Sequence, residues 1–328
     1  MKEAPDKFMQ SQTTENSQGP GDRVERVCPV CGSPSASARR FLDERIDPSR
    51  LNEYSFASRK EPEFFNYRMV QCVTCDVVFV DRPPSQQALH QAYHVAEYDS
   101  SEEAEDAAAA YLRELEPILQ RIDLGAALEI GTGTGILLEG LATRGFSQVA
   151  GVEPSTAAIK AAPAHRRPWI REGIFQEDDY QPESFDLICC FMTLEHVKEP
   201  REIAESVHRL LKPGGAFVTV THDYRSAVNR LLGRRSPIID VEHMQLFSPQ
   251  SIVELFQRSG YQQVVARPFA NRYALSYWVR LMPLGATLKR VTSRLLASLG
   301  LASNKVSINV GNMVAVGYRQ VDAVRHDS

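Results

Sequence analysis

The sequence contains no apolar run that approaches the ~20 residues of a membrane-spanning helix. It also has little excess charge, because 37 Lys and Arg face 41 Asp and Glu and leave a net charge of -4. That balance argues against a general nucleic-acid-binding surface, so we do not expect nucleic acid as a partner. Residues 1–22 lack the apolar segment of a signal peptide and are rich in Gln, Ser, Thr and Gly. We therefore expect a disordered tail over 1–22 and a cytoplasmic protein.

Cysteine is scarce, but four of the six cysteines form two C-x-x-C pairs, Cys28 with Cys31 and Cys72 with Cys75. Each pair puts two thiolates on one tight turn, and two such turns can complete the tetrahedral set of a structural zinc ion. A disulfide would be unusual in a reduced cytoplasmic chain, and a redox C-x-x-C would explain one pair but not both. We therefore predict a zinc-ribbon module over 23–85, with no open metal position for catalysis.

The segment 128–135, which reads LEIGTGTG, is typical of an apolar strand that enters a glycine turn and leaves as a helix. Glycine lets the backbone turn sharply and approach a ligand closely, and the start of the helix points free N–H groups at it. The next apolar stretch, 148–152, ends in Glu153, whose carboxylate can accept hydrogen bonds from two ribose hydroxyls. Strand and helix patterns alternate over 126–220, so we predict right-handed βαβ units and a mostly parallel sheet.

Three further motifs follow in order: a buried strand pattern with an acidic entry at 184–192, the sequence LEHV at 194–197, and LKPGG at 211–215. With the glycine turn, they resemble the class I S-adenosylmethionine (SAM) methyltransferases, and look closest to the branch that includes the ubiquinone-pathway O-methyltransferases. A dehydrogenase-like Rossmann domain would share the glycine turn but would explain neither LEHV nor LKPGG. The resemblance implies a Rossmann-like α/β fold with a mostly parallel seven-stranded sheet, and SAM as the cofactor.

The resemblance also implies a set of cofactor-binding residues. Glu129 would face the amino acid end of SAM, and Glu153 would hold the ribose. Phe191 and Met192 would lie beside the methyl group. The glycine turn would meet the methionine part of SAM through Gly131, Thr132, Gly133 and Gly135.

One position departs from the family pattern. Members usually have an acidic residue after the third strand that receives the adenine amine, but the corresponding pair here is Gly173 and Ile174, with Phe175 next. We therefore expect adenine to rely on apolar contacts and on a backbone N–H near Phe175. Asp178 and Asp179 lie further along the chain and are weaker candidates for the missing acid.

Helical patterns connect the ribbon to the core. Residues 86–125 favour helices, and an Ala- and Glu-rich run within them is expected to pack over the cofactor cleft as a lid. The methyltransferase domain would then span 126–328. Its last core helix is predicted to begin at Ser248, an N-cap that precedes a proline, and its final strands are expected near 262–267 and 307–319.

Between those two strands lies an insertion, 268–305, that contains six Lys or Arg and no Asp or Glu. Its composition predicts a helical, amphipathic segment. Three roles stay open for this segment. It could bind an anionic membrane surface, bind an anionic substrate, or serve only as a helical cap or a partner-binding surface. The first role would make the cytoplasmic protein peripheral to the inner face of the membrane.

Methyl transfer to a hydroxyl needs a group that removes a proton, and histidine suits this role because its ordinary pKa lies near neutrality. His196, His222 and His243 are expected at the carboxyl ends of strands, where open α/β sheets bind ligands. His243 and His196 are favoured over His222 as the catalytic base. Each of the three is also open to a structural or substrate-binding role.

The acceptor is constrained by two missing motifs. The sequence shows neither the N/D-P-P-Y/F motif of enzymes that methylate amino groups of bases nor the Pro-Cys nucleophile of pyrimidine C5 chemistry. We expect O-methylation of a small-molecule, sugar or glycan acceptor. C-methylation of a nucleotide sugar is the alternative, because sugar C-methyltransferases also carry an N-terminal cysteine zinc module. A non-catalytic SAM-binding scaffold that acts through its ribbon is the alternative of another class.

Overall fold

The structure is a computed structural model that describes residues 23–51, 55–57, 63–96, 102–282 and 284–321. The tail over 1–22, which we expected to be disordered, lies outside these residues. No helix in the described ranges is long and apolar enough to cross a membrane.

Strands and helices are numbered here in chain order. The strands are β1 Arg39–Leu42, β2 Met69–Gln71, β3 Val78–Val80, β4 Ala126–Ile130, β5 Gln148–Glu153, β6 Ile170–Glu172, β7 Phe185–Phe191, β8 Leu211–His222, β9 Gln245–Leu246, β10 Gln262–Pro268, β11 Asn271–Ala274, β12 Lys305–Ile308 and β13 Asn312–Tyr318. The helices are α1 Gln86–His94, α2 Glu102–Leu119, α3 Ile136–Thr143, α4 Thr156–Ala161, α5 Pro200–Leu210, α6 Ala227–Leu232, α7 Pro249–Arg258, α8 Leu275–Leu281 and α9 Ala286–Ser298.

A mostly parallel seven-stranded sheet forms the centre of the described chain, which confirms the expected α/β fold class. Its strand order is β10-β13-β8-β7-β4-β5-β6. The five strands from β8 to β6 are parallel, whereas β13 runs antiparallel to both of its neighbours. The carboxyl ends of β4, β5, β7 and β8 therefore meet at one edge of the sheet, where ligands bind in folds of this class.

Strand β7 shows why the sheet is buried on both faces. Ile188 and Cys190 pack into an apolar cluster with α5 and α7, whereas Leu187, Cys189 and Phe191 pack into a second cluster with α2 and α3. Side chains alternate between the faces of a strand, and every residue of β7 is buried. Apart from Asp186 near its start, β7 is apolar because helices cover both sides of a parallel sheet.

The ribbon module is joined to the large domain by backbone pairing. Strand β9 pairs antiparallel with β3 and completes a four-stranded sheet of order β1-β2-β3-β9. Arg26 adds a clamp, because its guanidinium donates to the carbonyl oxygens of Val80 and Met244, both at 2.9 Å. Cys28 and Phe79 belong to the same apolar cluster as the central strands. The ribbon and the large domain therefore share one core.

Each C-x-x-C turn ends in a residue with left-handed backbone. The first turn uses Gly32 at φ +76°, and the second uses Asp76 at φ +71°, a residue type that tolerates this conformation better than most. The Asp76 carboxylate binds Arg225 and accepts a hydrogen bond from Ser248 Oγ at 2.7 Å. Asp76 thus shapes the turn and also anchors the ribbon to the N-cap of α7.

The insertion over 268–305 is helical only in part. It begins with β11 and ends with β12, which pair antiparallel, and these strands enclose α8 and α9. Helix α8 buries Tyr277 and Trp278 against the core. The indole N–H of Trp278 donates to the carbonyl oxygen of Val306 at 3.0 Å, which ties α8 to β12.

The expectation of one strand over 307–319 is wrong, because the chain turns between β12 and β13. Gly311 has φ +93°, and its N–H donates to the Asn309 side-chain oxygen at 2.8 Å. Only β13 joins the large sheet, whereas β12 pairs with β11 in a separate two-stranded sheet.

Asp76→Asn should lower the free energy of unfolding by about 1–3 kcal/mol, because charge-assisted hydrogen bonds are lost while asparagine keeps the left-handed turn. Equilibrium unfolding in urea measures this difference. Glu254→Gln is the control, because the exposed pair of Glu254 and Arg258 within α7 should contribute less than about 0.5 kcal/mol. Wild-type stability in Asp76→Asn would contradict the anchoring role.

Candidate active site at the ends of the parallel strands

A cavity of about 750 Å³ opens at the carboxyl ends of the parallel strands. The glycine turn after β4 and the tip of β5 line it from the sheet. Helices α1 and α2 and the insertion line it from outside, through side chains that include Leu89, Ala108, Tyr111, Tyr273 and Tyr277. The cavity is therefore enclosed by parts of the chain that are far apart in sequence.

The glycine turn has left-handed backbone at Gly131, Gly133 and Gly135, with φ values of +78°, +57° and +70°. A Cβ on Gly131 would lie 2.2 Å from Thr193 Oγ1, so this glycine permits close contact with the loop after β7. A Cβ on Gly133 would meet nothing within 4 Å, which leaves open space in the cavity. Gly135 is the N-cap of α3 and is not among the described residues that line the cavity, so its conformation serves the turn.

Two carboxylates line the cavity next to this turn. Glu129 Oε2 accepts a hydrogen bond from Thr132 Oγ1 at 2.5 Å. Glu153 accepts the backbone N–H of Gly133 at 2.7 Å and that of Ser155 at 2.9 Å. Burial raises the pKa of Glu153, and the two N–H groups oppose that rise. The carboxylate at the tip of β5 is therefore held in one position by the backbone around it.

The wall after β6 is aromatic. Phe175 stacks on Tyr180 with ring centroids 6.0 Å apart and lines the cavity with Gly173 and Ile174. Asp179, one of the weaker candidates for the missing acid, pairs with Arg171. Neither it nor its neighbour 178 is among the described residues that line the cavity, so neither stands in for that acid.

Phe191 and Met192 reach the cavity at the end of β7. Phe191 contacts the Tyr111 ring edge-on, with centroids 4.9 Å apart. Met192 has φ +51°, an unfavourable conformation for a long side chain, and its N–H donates to the carbonyl oxygen of Val220 at 2.8 Å. Strained backbone persists where the surrounding structure imposes it, and it clusters at functional sites.

The three candidate histidines come together on one wall of the cavity. Ring centroids are 4.8 Å apart for His196 and His243, and 5.8 Å apart for His222 and His243. Glu195, which is fully buried, supports them. Its carboxylate accepts the backbone N–H of His222 at 2.8 Å and lies 3.1 Å from His222 Nδ1. The side chain of Glu195 therefore fixes the imidazole of His222.

These groups have opposed electrostatic environments. Burial alone would raise the pKa of Glu195, but the neighbouring His222, His243 and His196 lower it to about 2. Burial lowers the pKa of His243 to about 3, and the nearby His196 and His222 act in the same direction. At neutral pH Glu195 is ionised and His243 is neutral, with its Nδ1 2.8 Å from the carbonyl oxygen of Ile238.

The imidazole nitrogens and carboxylate oxygens of this cluster lie close enough to one another to pass a proton or to bind a cation together. The side-chain donor atoms of Glu195, His222 and His243 lie within 4.8 Å of one another, as do those of His196, Glu242 and His243. In the first set hydrogen bonding favours proton transfer over a cation, because both carboxylate oxygens of Glu195 already bind His222.

Sequence reasoning missed three residues that shape this wall, Glu195, Glu242 and Tyr93. Tyr93 of α1 donates its hydroxyl to the carbonyl oxygen of Glu242 at 3.3 Å and contacts the His196 ring edge-on at 5.9 Å. The LEHV motif contains Glu195, so that residue had a signal in the sequence. Nothing in the local sequence marks Tyr93, whose contact depends on the path of α1.

The four cysteines of the ribbon also come together. The sulfur atoms of Cys28 and Cys75 are 3.5 Å apart, as are those of Cys31 and Cys72, and all four lie within 4.8 Å of one another. Tetrahedral zinc with Zn–S bonds of about 2.3 Å needs sulfur atoms about 3.8 Å apart. The donor set and its spacing therefore fit a zinc ion.

Residues 101–266 match a protein family described as a methyltransferase domain. A ubiquinone biosynthesis O-methyltransferase of Idiomarina loihiensis is 35% identical over 129 residues, which are 38% of this chain and 51% of that protein. An enzyme of the same name from Burkholderia pseudomallei is 29% identical over 195 residues, 50% of this chain and 82% of that protein. The chain thus spans about half the length of the first of these relatives and most of the second.

Two solved structures of SAM-dependent methyltransferases are similar to the chain. The protein from Thermotoga maritima has a TM-score of 0.44 and 19% identity, over 66% of this chain and 91% of that one. The protein from Archaeoglobus fulgidus has a TM-score of 0.45 and 14% identity, over 64% of this chain and 94% of that one.

The family match covers 166 of the 328 residues and includes the glycine turn, Glu153 and the histidine wall. The chain therefore belongs to the methyltransferase-domain family.

Proposed function

We propose that the protein methylates a hydroxyl oxygen of a small-molecule, sugar or glycan acceptor, with His222 as the general base. The observation that carries this proposal is the contact between His222 Nδ1 and the buried carboxylate of Glu195 at 3.1 Å. A base whose ring is oriented by a buried carboxylate presents its other nitrogen to the proton that it removes. Nε2 of His222 would therefore face the acceptor hydroxyl.

His222 replaces the two histidines that the sequence favoured. A pKa of about 3 makes the His243 imidazole too weak a base at neutral pH. His196 Nδ1 lies 3.3 Å from the carbonyl oxygen of Glu242 and 3.8 Å from its carboxylate. We assign His196 and His243 to binding and orienting the acceptor.

When bound, SAM supplies an electrophilic methyl group on a positively charged sulfur. The chain's residues would orient the hydroxyl, exclude water and remove one proton. His222 takes that proton, and the ionised Glu195 stabilises the positive charge that His222 acquires. Tyr111, Tyr273 and Tyr277 line the cavity, and their rings would keep water away from the reacting atoms.

Cofactor binding is assigned to the glycine turn and its neighbours. The open space at Gly133 would receive the methionine part, with Glu129 near its amino acid end. Glu153 would accept hydrogen bonds from the ribose hydroxyls. This role suits a buried carboxylate that backbone N–H groups hold in place. Phe175 would cover the adenine, and Met192 would lie near the methyl group.

The names of the relatives support oxygen as the methyl-accepting atom, since they are O-methyltransferases. C-methylation of a nucleotide sugar is the alternative chemistry, and nuclear magnetic resonance of the methylated product separates the two. A non-catalytic SAM-binding scaffold is the alternative of another class. The pairing of His222 with Glu195 speaks against a scaffold, because cofactor binding alone does not need it.

We also propose that Cys28, Cys31, Cys72 and Cys75 hold one structural zinc ion. The support is the spacing of their sulfur atoms and their position within two tight turns. Four thiolates fill the coordination sphere, so the ion would stabilise the ribbon and take no part in the reaction.

His222→Gln should lower turnover by about 10²–10⁴-fold with little change in SAM affinity, because it removes the proton acceptor and no cofactor contact. His196→Gln is the comparison and should raise KM more than it lowers kcat. Transfer of radiolabelled methyl to sugar, nucleotide-sugar and phenolic acceptors measures turnover, and calorimetry measures SAM affinity. Near-normal turnover in His222→Gln, together with its loss in His196→Gln or His243→Gln, would reject His222 as the base.

The contribution of Glu195 to stability should depend on pH. Its pKa in the folded protein, about 2, lies below the ordinary value of 4.5. The ionised carboxylate therefore stabilises the fold above about pH 4.5, and this contribution is lost as pH falls through the folded pKa. Urea unfolding should show wild type more stable than Glu195→Gln at pH 7, with a gap that narrows below pH 4.5. A gap that stays constant down to pH 3 would refute the assigned ionisation.

Metal analysis of the purified protein should give close to one zinc ion per chain. Cys72→Ser should lower this ratio and destabilise the ribbon more than it weakens SAM binding, because the ion contributes folding energy there. Cys190→Ala is the control, since Cys190 is buried in the sheet and lies outside the cluster. A fully folded preparation without metal would defeat the zinc proposal.

A further inference from the structure

Six cationic side chains among the described residues line a second cavity, of about 640 Å³. They come from four segments: the ribbon loop after β1, the chain after α6, the end of α8 and the start of α9. The six are Arg45, Arg50, Arg234, Arg235, Arg280 and Lys289. Glu63 is the one carboxylate among the described residues that line this cavity.

This excess of positive charge is local, since the whole chain carries a net charge of -4. Many arginines of the described chain pair with acids, as Arg144 does with Glu116 at 2.8 Å. Arg234 and Arg235 form no ion pair with any described residue, and the insertion over 268–305 contains no acid at all. Like charges gathered around a concave surface repel one another, and a bound anion would offset that repulsion.

The second cavity adjoins the active-site cleft. Leu281, at the end of α8, lines both. Tyr277, one turn before Leu281 on the same helix, lines the cleft. Arg280, the residue just before Leu281, lines the basic cavity. A molecule that passes Leu281 would have its methyl-accepting end beside the histidines and its other end among the arginines.

We propose that the basic cavity binds a phosphate or diphosphate group of the methyl acceptor. This inference rests on the proposed methyl transfer and adds the acceptor's class, a phosphate ester. Arginine suits that group because its planar fork donates two parallel hydrogen bonds and keeps its charge at any physiological pH. Five of the six cations are arginines, and a volume of about 640 Å³ holds a diphosphate with part of the attached molecule.

Two sources would supply the same chemistry. One is a nucleoside diphosphate-linked sugar in solution, and the other is a lipid-linked diphosphate. Helix α9, which borders the cavity at Lys289, exposes Leu288, Val291 and Leu295 at helical spacing, and such an apolar stripe would suit a lipid chain. The test therefore needs a soluble probe and a lipid-borne probe.

The soluble probe is inorganic pyrophosphate. Calorimetric titration into the full chain measures its affinity in the absence of SAM and of the acceptor. The test variant combines Arg234→Gln with Arg235→Gln, two exposed residues of the cavity. The control combines Arg290→Gln with Arg294→Gln, which removes the same charge from exposed positions of α9 outside the cavity. Wild type and control should bind pyrophosphate alike, and the test variant should bind at least about tenfold more weakly.

The lipid arm uses phosphatidylcholine vesicles with and without a polyprenyl diphosphate. Binding that needs the diphosphate and falls in the Arg234 and Arg235 variant would support the proposal with a lipid-linked acceptor. Failure of wild type to bind either probe, or equal weakening in both double variants, would overturn it. Binding to plain phosphatidylglycerol vesicles that depends only on Arg290 and Arg294 would also overturn it, since the basic face would then be a membrane surface.

Titration of S-adenosylhomocysteine into the same three proteins separates this inference from the proposed function. All three should bind it equally, because neither pair of arginines lines the active-site cleft. Normal binding of S-adenosylhomocysteine without binding of either diphosphate probe would overturn the acceptor class alone. Failure of wild type to bind S-adenosylhomocysteine would count against the proposed methyl transfer instead.

Discussion

The buried carboxylate of Glu195 sets the geometry on which the cleft depends. A buried charge is costly unless other groups stabilise it, and here the backbone N–H and the Nδ1 of His222 each bind one oxygen of the carboxylate. The backbone carbonyl of Glu195 also accepts the N–H of Met244 at 2.8 Å. The loop after β7, the end of β8 and the chain leading into β9 must therefore meet at one point. The same contacts that stabilise the charge bring the three histidines together.

The ribbon module positions the loop that carries His243 but supplies no reacting group. Because β9 pairs with β3, the chain that carries His243 continues directly into the ribbon sheet. Arg26 donates to the carbonyl oxygen of Met244, the residue after His243. Burial lowers the pKa of Arg26 to about 10, so its guanidinium is still charged at neutral pH. A zinc ion on the four cysteines, as proposed, would hold the strands that support this loop. Loss of the metal would then loosen the histidine wall without removing any group that touches the acceptor.

Features that depend on near neighbours in the chain could be predicted from the sequence, and features that depend on distant contacts could not. The glycine turn at 131–135 and the Ser248 cap of α7 are local, and both are present in the structure. Strand β9 has only two residues and carries no periodic pattern, so it forms a strand only because β3 lies beside it. The choice of His222 depends on Glu195, 27 residues earlier. The basic cavity is likewise assembled from four separate segments, and the sequence drew attention only to the two that lie in the insertion over 268–305.

Binding of S-adenosylhomocysteine, measured by calorimetry in wild type, Gly133→Val and Gly300→Val, tests the central assignment most directly. Both glycines have left-handed backbone, at φ +57° and +67°, and open space where a side chain would begin, but only Gly133 lines the cavity. The assignment predicts that wild type and Gly300→Val bind equally and that Gly133→Val does not bind, because the branched side chain fills the space for the methionine part. Wild-type affinity in Gly133→Val would contradict the assignment.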